Sequence, residues 1–179
     1  MSNDDATARA AQVAELGFAA AAVQANGYEI DPEDHDAADA HEIPELAILL
    51  DPDEEGRARS LHLSFVQTEE QLLHTRVLQL WSPLPFGAGE ACSLTDLRLA
   101  VAIVNEHVGL GRFGVQDDGT LYFRHDLVAP KHQLIDDDML VEMVALIDFH
   151  QSHFSDYLEG VCEGKISVLV LDEVIKRSE

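Results

Sequence analysis

Leu110-Gly-Arg-Phe-Gly-Val-Gln-Asp-Asp-Gly-Thr-Leu-Tyr-Phe-Arg-His-Asp-Leu127 is the stretch whose reading decides the fold of this chain. Phe113 and Val115 alternate before Asp118-Gly119, and Leu121, Phe123, His125 and Leu127 alternate after it. Period-two patterning on both sides of an Asp-Gly dipeptide predicts a β-hairpin, because its tight turn needs backbone conformations that glycine adopts without steric cost. Hairpin strands are antiparallel, so the sheet built on this one is expected to be antiparallel too.

Working outward, the hairpin is flanked by helices. On its N-terminal side Ser93-Leu-Thr-Asp96 has the pattern of a capping box, with Asp at the third position after the cap. Leu97, Val101, Val104 and Val108 then mark one stripe of a helix that Gly109 closes. On the C-terminal side Asp136, Asp137 and Asp138 open a long helix, favoured there by the positive end of the helix dipole. Its core stripe is Leu140, Val144, Ile147, Phe154 and Leu158. Leu146, Phe149, His153 and Tyr157 form a second stripe, which makes the apolar surface wide for a helix covering one sheet.

The N-terminal half begins with an alanine-rich helix, Ala6 to Ala25, spaced by Val13, Leu16, Ala20 and Val23 and stopped by Asn26-Gly27. Asp31 to Glu42 is acidic, contains Pro32 and lacks periodicity, which predicts an exposed loop over 31–42. Strands are expected at Leu46, Ile48 and Leu50, at Leu61, Leu63 and Phe65, and from Thr75 to Ser82, with Pro83 and Pro85 ending the third. The tail, 166–179, is ambiguous between strand and helix. The expectation is one α+β domain over 1–179, with an antiparallel five-stranded sheet, helices packed on it and the order α-β-β-β-α-β-β-α.

Composition narrows the function. Asp and Glu total 34 against 11 Lys and Arg, a formal charge of −23. Such a surface repels phosphate, so nucleic-acid and anionic-membrane binding are disfavoured. Solubility or a salt-rich cytoplasm, the latter fitting the three lysines Lys131, Lys165 and Lys176, explains the charge better than attraction of a basic partner. No apolar run reaches the roughly 20 residues of a spanning helix, and Met1 to Arg9 lacks a signal-peptide pattern, so the expected location is cytoplasmic. Cys92 and Cys162 are read as two buried free thiols.

Several motifs imitate catalytic or binding sites. Gly109-Leu-Gly-Arg-Phe-Gly114 spells GxGxxG, but a helix precedes it and a strand follows, the reverse of the dinucleotide fingerprint. Asp51, Asp53, Glu55 and Gly56 begin like a calcium loop, yet the twelfth position is His62 where a bidentate Glu is required, so an acidic hairpin turn is expected. His150 and His153, near Asp148, have helical ligand spacing without an HExxH or Glu-x-x-His pair, and His35 and His41 lie in the acidic loop. Arg112 and Arg124 are read as partners of local carboxylates, and Asn105 as a cap or turn residue. The residues thus assign no catalytic group, cofactor or metal site.

From about Leu97 to Ile175 the chain resembles the YbjN-like family of bacterial proteins, whose fold is that of type III secretion chaperones. The resemblance rests on Val104-Asn105, Leu110 to Gly119, Leu121 to Leu127, the long apolar helix and Glu163-Gly-Lys-Ile-Ser167. It implies a non-enzymatic protein-interaction module, chaperone-like or regulatory and homodimeric, with a protein partner. Two other classes remain: a ligand-responsive sensory regulator with a pocket between sheet and helices, and a metal-assisted hydrolase using His150 and His153.

Overall fold

Alternating side chains bury one face of a strand, and the segment Arg59–Phe65 does this without interruption, with Leu61, Leu63 and Phe65 inside and His62 and Ser64 half-buried on the other face. In the computed structural model, which describes residues 3–31, 43–66 and 72–178, this segment is the third strand of a six-stranded antiparallel sheet. The elements are α1 (Asn3–Ala25), β1 (Glu29–Ile30), β2 (Glu45–Leu50), β3 (Arg59–Phe65), β4 (Thr75–Gly87), α2 (Leu94–Val104), β5 (Arg112–Val115), β6 (Thr120–Pro130), α3 (Asp137–Cys162), a 3-10 turn (Val168–Val170) and α4 (Leu171–Ser178). Strand order in the sheet is β1-β2-β3-β4-β6-β5. The α+β class with an antiparallel sheet agrees with expectation. The strand number and the element order do not.

Each difference has a local cause. β1 is only two residues long, pairing Glu29 with Leu49 and Ile30 with Ile48, too short to carry a periodic signal. β4 runs on through Pro83 and Pro85 instead of ending before them. Both prolines fall on the same side of an alternating strand, so their missing N–H groups weaken one edge and leave the other able to pair. α2 stops at Val104, a turn before Gly109: after Asn105 the chain tightens, the Glu106 and His107 N–H groups bonding to the carbonyls of Ile103 and Val104 three residues back. The C-terminal tail is helical, as the 3-10 turn and α4. The predicted loop at 31–42 lies outside the described residues apart from Asp31.

The chain clusters into two compact units. The first comprises 1–51, 60–81 and 126–145. Here α1 packs against β1 and β2, and Leu16, Ala20 and Val23 of α1 are buried, as are Leu46, Ile48, Leu63 and Leu80 of the strands. α1 ends in a Schellman motif: the Tyr28 N–H bonds to the Val23 carbonyl and the Gly27 N–H to that of Gln24, with Gly27 at φ +93°.

The second unit comprises 52–59, 82–125 and 146–179. α2 packs on β5, on the 3-10 turn and on α4, and its buried stripe is Leu97, Ala100, Val101 and Val104. Ser93 caps α2, its Oγ accepting from the Asp96 N–H at 3.1 Å and donating to the Asp96 carboxylate at 2.7 Å. The expected β5–β6 hairpin forms around Asp118-Gly119, with Phe113 opposite Phe123 and Val115 opposite Leu121. Phe113 and Phe123 are both buried and meet edge to face at 4.9 Å.

Candidate functional site

The residues whose types suggested chemistry are engaged in holding the structure. In the GxGxxG run, a Cβ on Gly111 would lie 2.6 Å from the Phe123 ring, and one on Gly114 would strike the Tyr122 ring across the hairpin. These glycines make room for aromatic side chains of β6, and the run follows α2 and leads into β5, the inverted context expected from sequence.

The acidic turn after β2 is organised by a cation. Arg57 donates its backbone N–H and its Nε to Asp53, at 2.7 and 2.6 Å, and its Nη2 to Glu55 at 2.9 Å. The same guanidinium forks onto Glu159 of α3 through Nη1 and Nη2, at 2.6 and 2.7 Å, and lies 5.4 Å from the centre of the Phe86 ring. Asp53 is held below its usual carboxylate range although partial burial opposes this, because Arg57 bonds to it twice. The sequence reading found the turn but missed Arg57, whose partner stands 102 residues away.

Asp148, His150 and His153 do not converge. Asp148 accepts from Arg59 at 2.9 Å. His153 stacks on Phe149 at 5.7 Å, while His150 is buried between Phe123 and Phe154 at 6.5 and 6.0 Å. Neither nitrogen of His150 has a hydrogen-bond partner among the described residues, and burial, then the neighbouring His153, pushes its pKa below the usual 6.5. No three His, Cys, Asp or Glu side chains gather as a metal-ligand set among the described residues, and His35 and His41 lie outside them.

Asn105 has a more specific role than capping. Its Oδ1 accepts from the Phe113 N–H at 2.8 Å, and its Nδ2 donates to the Phe113 carbonyl at 3.0 Å. The side-chain amide thus pairs with β5, the last strand of the sheet order, as a neighbouring strand would. Arg112 pairs in register with Arg124 across the hairpin, so the two cations face each other on neighbouring strands. Cys92 and Cys162 are free and buried, and burial together with Cys92 pushes the Cys162 thiol up to about 11, which keeps it protonated.

Among the described residues, both units leave apolar surface open. On α3, in the second unit, Phe149 is 58% exposed and Leu146 41%, with His153 and Tyr157 half-buried along the same stripe. In the first unit, a groove of about 650 Å³ runs beside α1, bordered by Phe65, Leu78, the segment 134–137 and Leu140. Phe65 also borders a second concavity of about 500 Å³ that carries Arg76, Lys131 and His132. No helix among the described residues is long and apolar enough to cross a membrane. Comparison with known proteins finds no matching family model, no matching curated protein and no matching solved structure.

Proposed function

We propose that the protein is a non-enzymatic interaction module, chaperone-like or regulatory, that pairs with a second copy of itself through α3. The observation carrying this reading is the apolar stripe Leu146, Phe149, His153 and Tyr157, in which Phe149 has more than half of its surface in water. A water-exposed Phe next to an exposed Leu on a regular helix is the arrangement used when one helix face docks on another protein surface. Leu169 and Val170, 86% and 45% exposed in the same unit, add further uncovered apolar surface. The resemblance to the YbjN-like family points the same way, since the chaperones of that fold pair as dimers. The reading as non-enzymatic is supported by the structural engagement of the Asp53, Asp148 and His150 side chains.

The test is light scattering on the wild type and on Phe149→Glu. The wild type is expected at twice the chain mass, and the variant at the chain mass with an unchanged far-UV spectrum. A monomeric wild type, or a variant that stays dimeric, contradicts the proposal. Leu146→Glu repeats the test at a second exposed position.

A second reading, a ligand-responsive regulator, is favoured by the groove beside α1. Stabilisation of the thermal transition by a small molecule would support it, since a ligand of the native state raises the melting temperature by mass action.

A further inference from the structure

We infer that the groove beside α1 binds a small amphiphilic cation, its apolar body on the groove floor and its charged end at Asp136 and Asp137. The inference rests on the ligand-responsive reading and is independent of self-association through α3.

The groove exists because α1 is built of alanine. Ala19, Ala22 and Ala25 line it along one side of the helix, and each presents a single methyl where a longer side chain would fill the space. Its floor is apolar and buried: Leu16, Phe65, Leu78 and Leu140 are no more than 3% exposed. Its rim holds Phe18 and Leu134, 57% and 68% exposed, which an occupant would cover. The volume, about 650 Å³, lies in the range of small-molecule sites. Its fourteen lining residues fall short of the roughly 20–30 that each side of a stable protein interface contributes.

Charge selects among apolar ligands. The polar side chains described in the lining are Glu15, Asp136 and Asp137, all of them acidic. Glu15 is already engaged: it ion-pairs with Arg76, at 2.5 Å to Nη2, and accepts the Ile135 N–H at 3.1 Å. Asp136 accepts the Met139 N–H at 2.9 Å, which leaves its other oxygen for a ligand. Asp137 beside it is exposed. Two adjacent carboxylates in the lining of an apolar trough attract an ammonium group and repel a carboxylate or phosphate head. The neighbouring concavity is of the other sign, lined by Arg76 and Lys131, although Arg76 is already paired with Glu15.

Titration calorimetry with decyltrimethylammonium and with decanoate, each below its micelle concentration, tests this. The cation is expected to bind saturably at one site per chain and about tenfold or more tighter than decanoate. Ala22→Leu, which keeps a strong helix former and fills the groove, is expected to abolish binding without changing the net charge. Asp137→Asn, at an exposed position, is expected to weaken the cation several-fold and, by removing one repelling charge, to tighten decanoate if it changes it at all. If Ala22→Leu fails to fold, Ala25→Leu on the same wall takes its place. Cation binding that survives groove filling would be nonspecific attraction to the −23 surface and would overturn the inference. Tighter decanoate binding would overturn the cationic class while keeping a ligand site. No binding of either probe would sink this site, leaving the regulator reading to other ligands.

Discussion

Burial removes the water that would solvate His150, and neither ring nitrogen regains a partner among the described residues. The cost of charging such an imidazole is desolvation, followed by repulsion from His153, and both keep it neutral in the native state. In the unfolded chain the same ring takes up a proton near pH 6.5. Below that pH the unfolded state binds more protons than the native one, so this residue's contribution is full above about 6.5 and is lost as the pH falls. Urea denaturation of wild type and His150→Phe at neutral and mildly acidic pH checks this. The wild type should lose stability relative to the variant, with a slope of at most about 1.4 kcal/mol per pH unit. Parallel pH profiles would show that His150 does not titrate in this way. The sequence placed His150 and His153 three apart on a helix, but could not say that α3 turns one into an aromatic core and leaves the other on the outer stripe. That distinction comes from packing.

A sheet edge exposes unpaired N–H and C=O groups, and β5 meets this hazard with one side chain. Asn105 satisfies both backbone groups of Phe113, so removing the amide strands a donor and an acceptor beside a buried ring. Asn105→Ala is expected to cost about 1–3 kcal/mol in chemical denaturation. An unchanged midpoint would mean that water replaces the amide without loss. Legibility at this scale follows the strength of the local signal. The β5–β6 hairpin, β3 and α3 announce themselves through Asp118-Gly119, the Leu61-Leu63-Phe65 alternation and the acidic first turn of α3. β1 has no signal, and the continuation of β4 past Pro83 and Pro85 runs against its local one. Asn105 was readable as a cap, but its pairing with Phe113 depends on where the chain returns. The groove beside α1 was hidden for a similar reason: an alanine-rich helix reads as featureless until the strands beneath it show what alanine leaves unfilled.

Long-range charge acts on every surface group together. A chain at −23 repels a copy of itself, and two such copies brought together at α3 would do so strongly in dilute buffer. Salt shortens the reach of that repulsion to about 10 Å at 0.1 M and about 3 Å at 1 M, while apolar contact between Phe149 side chains is not weakened by screening. The proposed dimer should therefore tighten as salt rises, the reverse of an association driven by opposite charges. Sedimentation of the wild-type protein over a concentration series, at about 0.1 M and about 1 M KCl, tests this most directly. The account predicts a mass rising from 19.7 kDa towards twice that value, at lower protein concentration in the higher salt. A mass of 19.7 kDa throughout both series would contradict it.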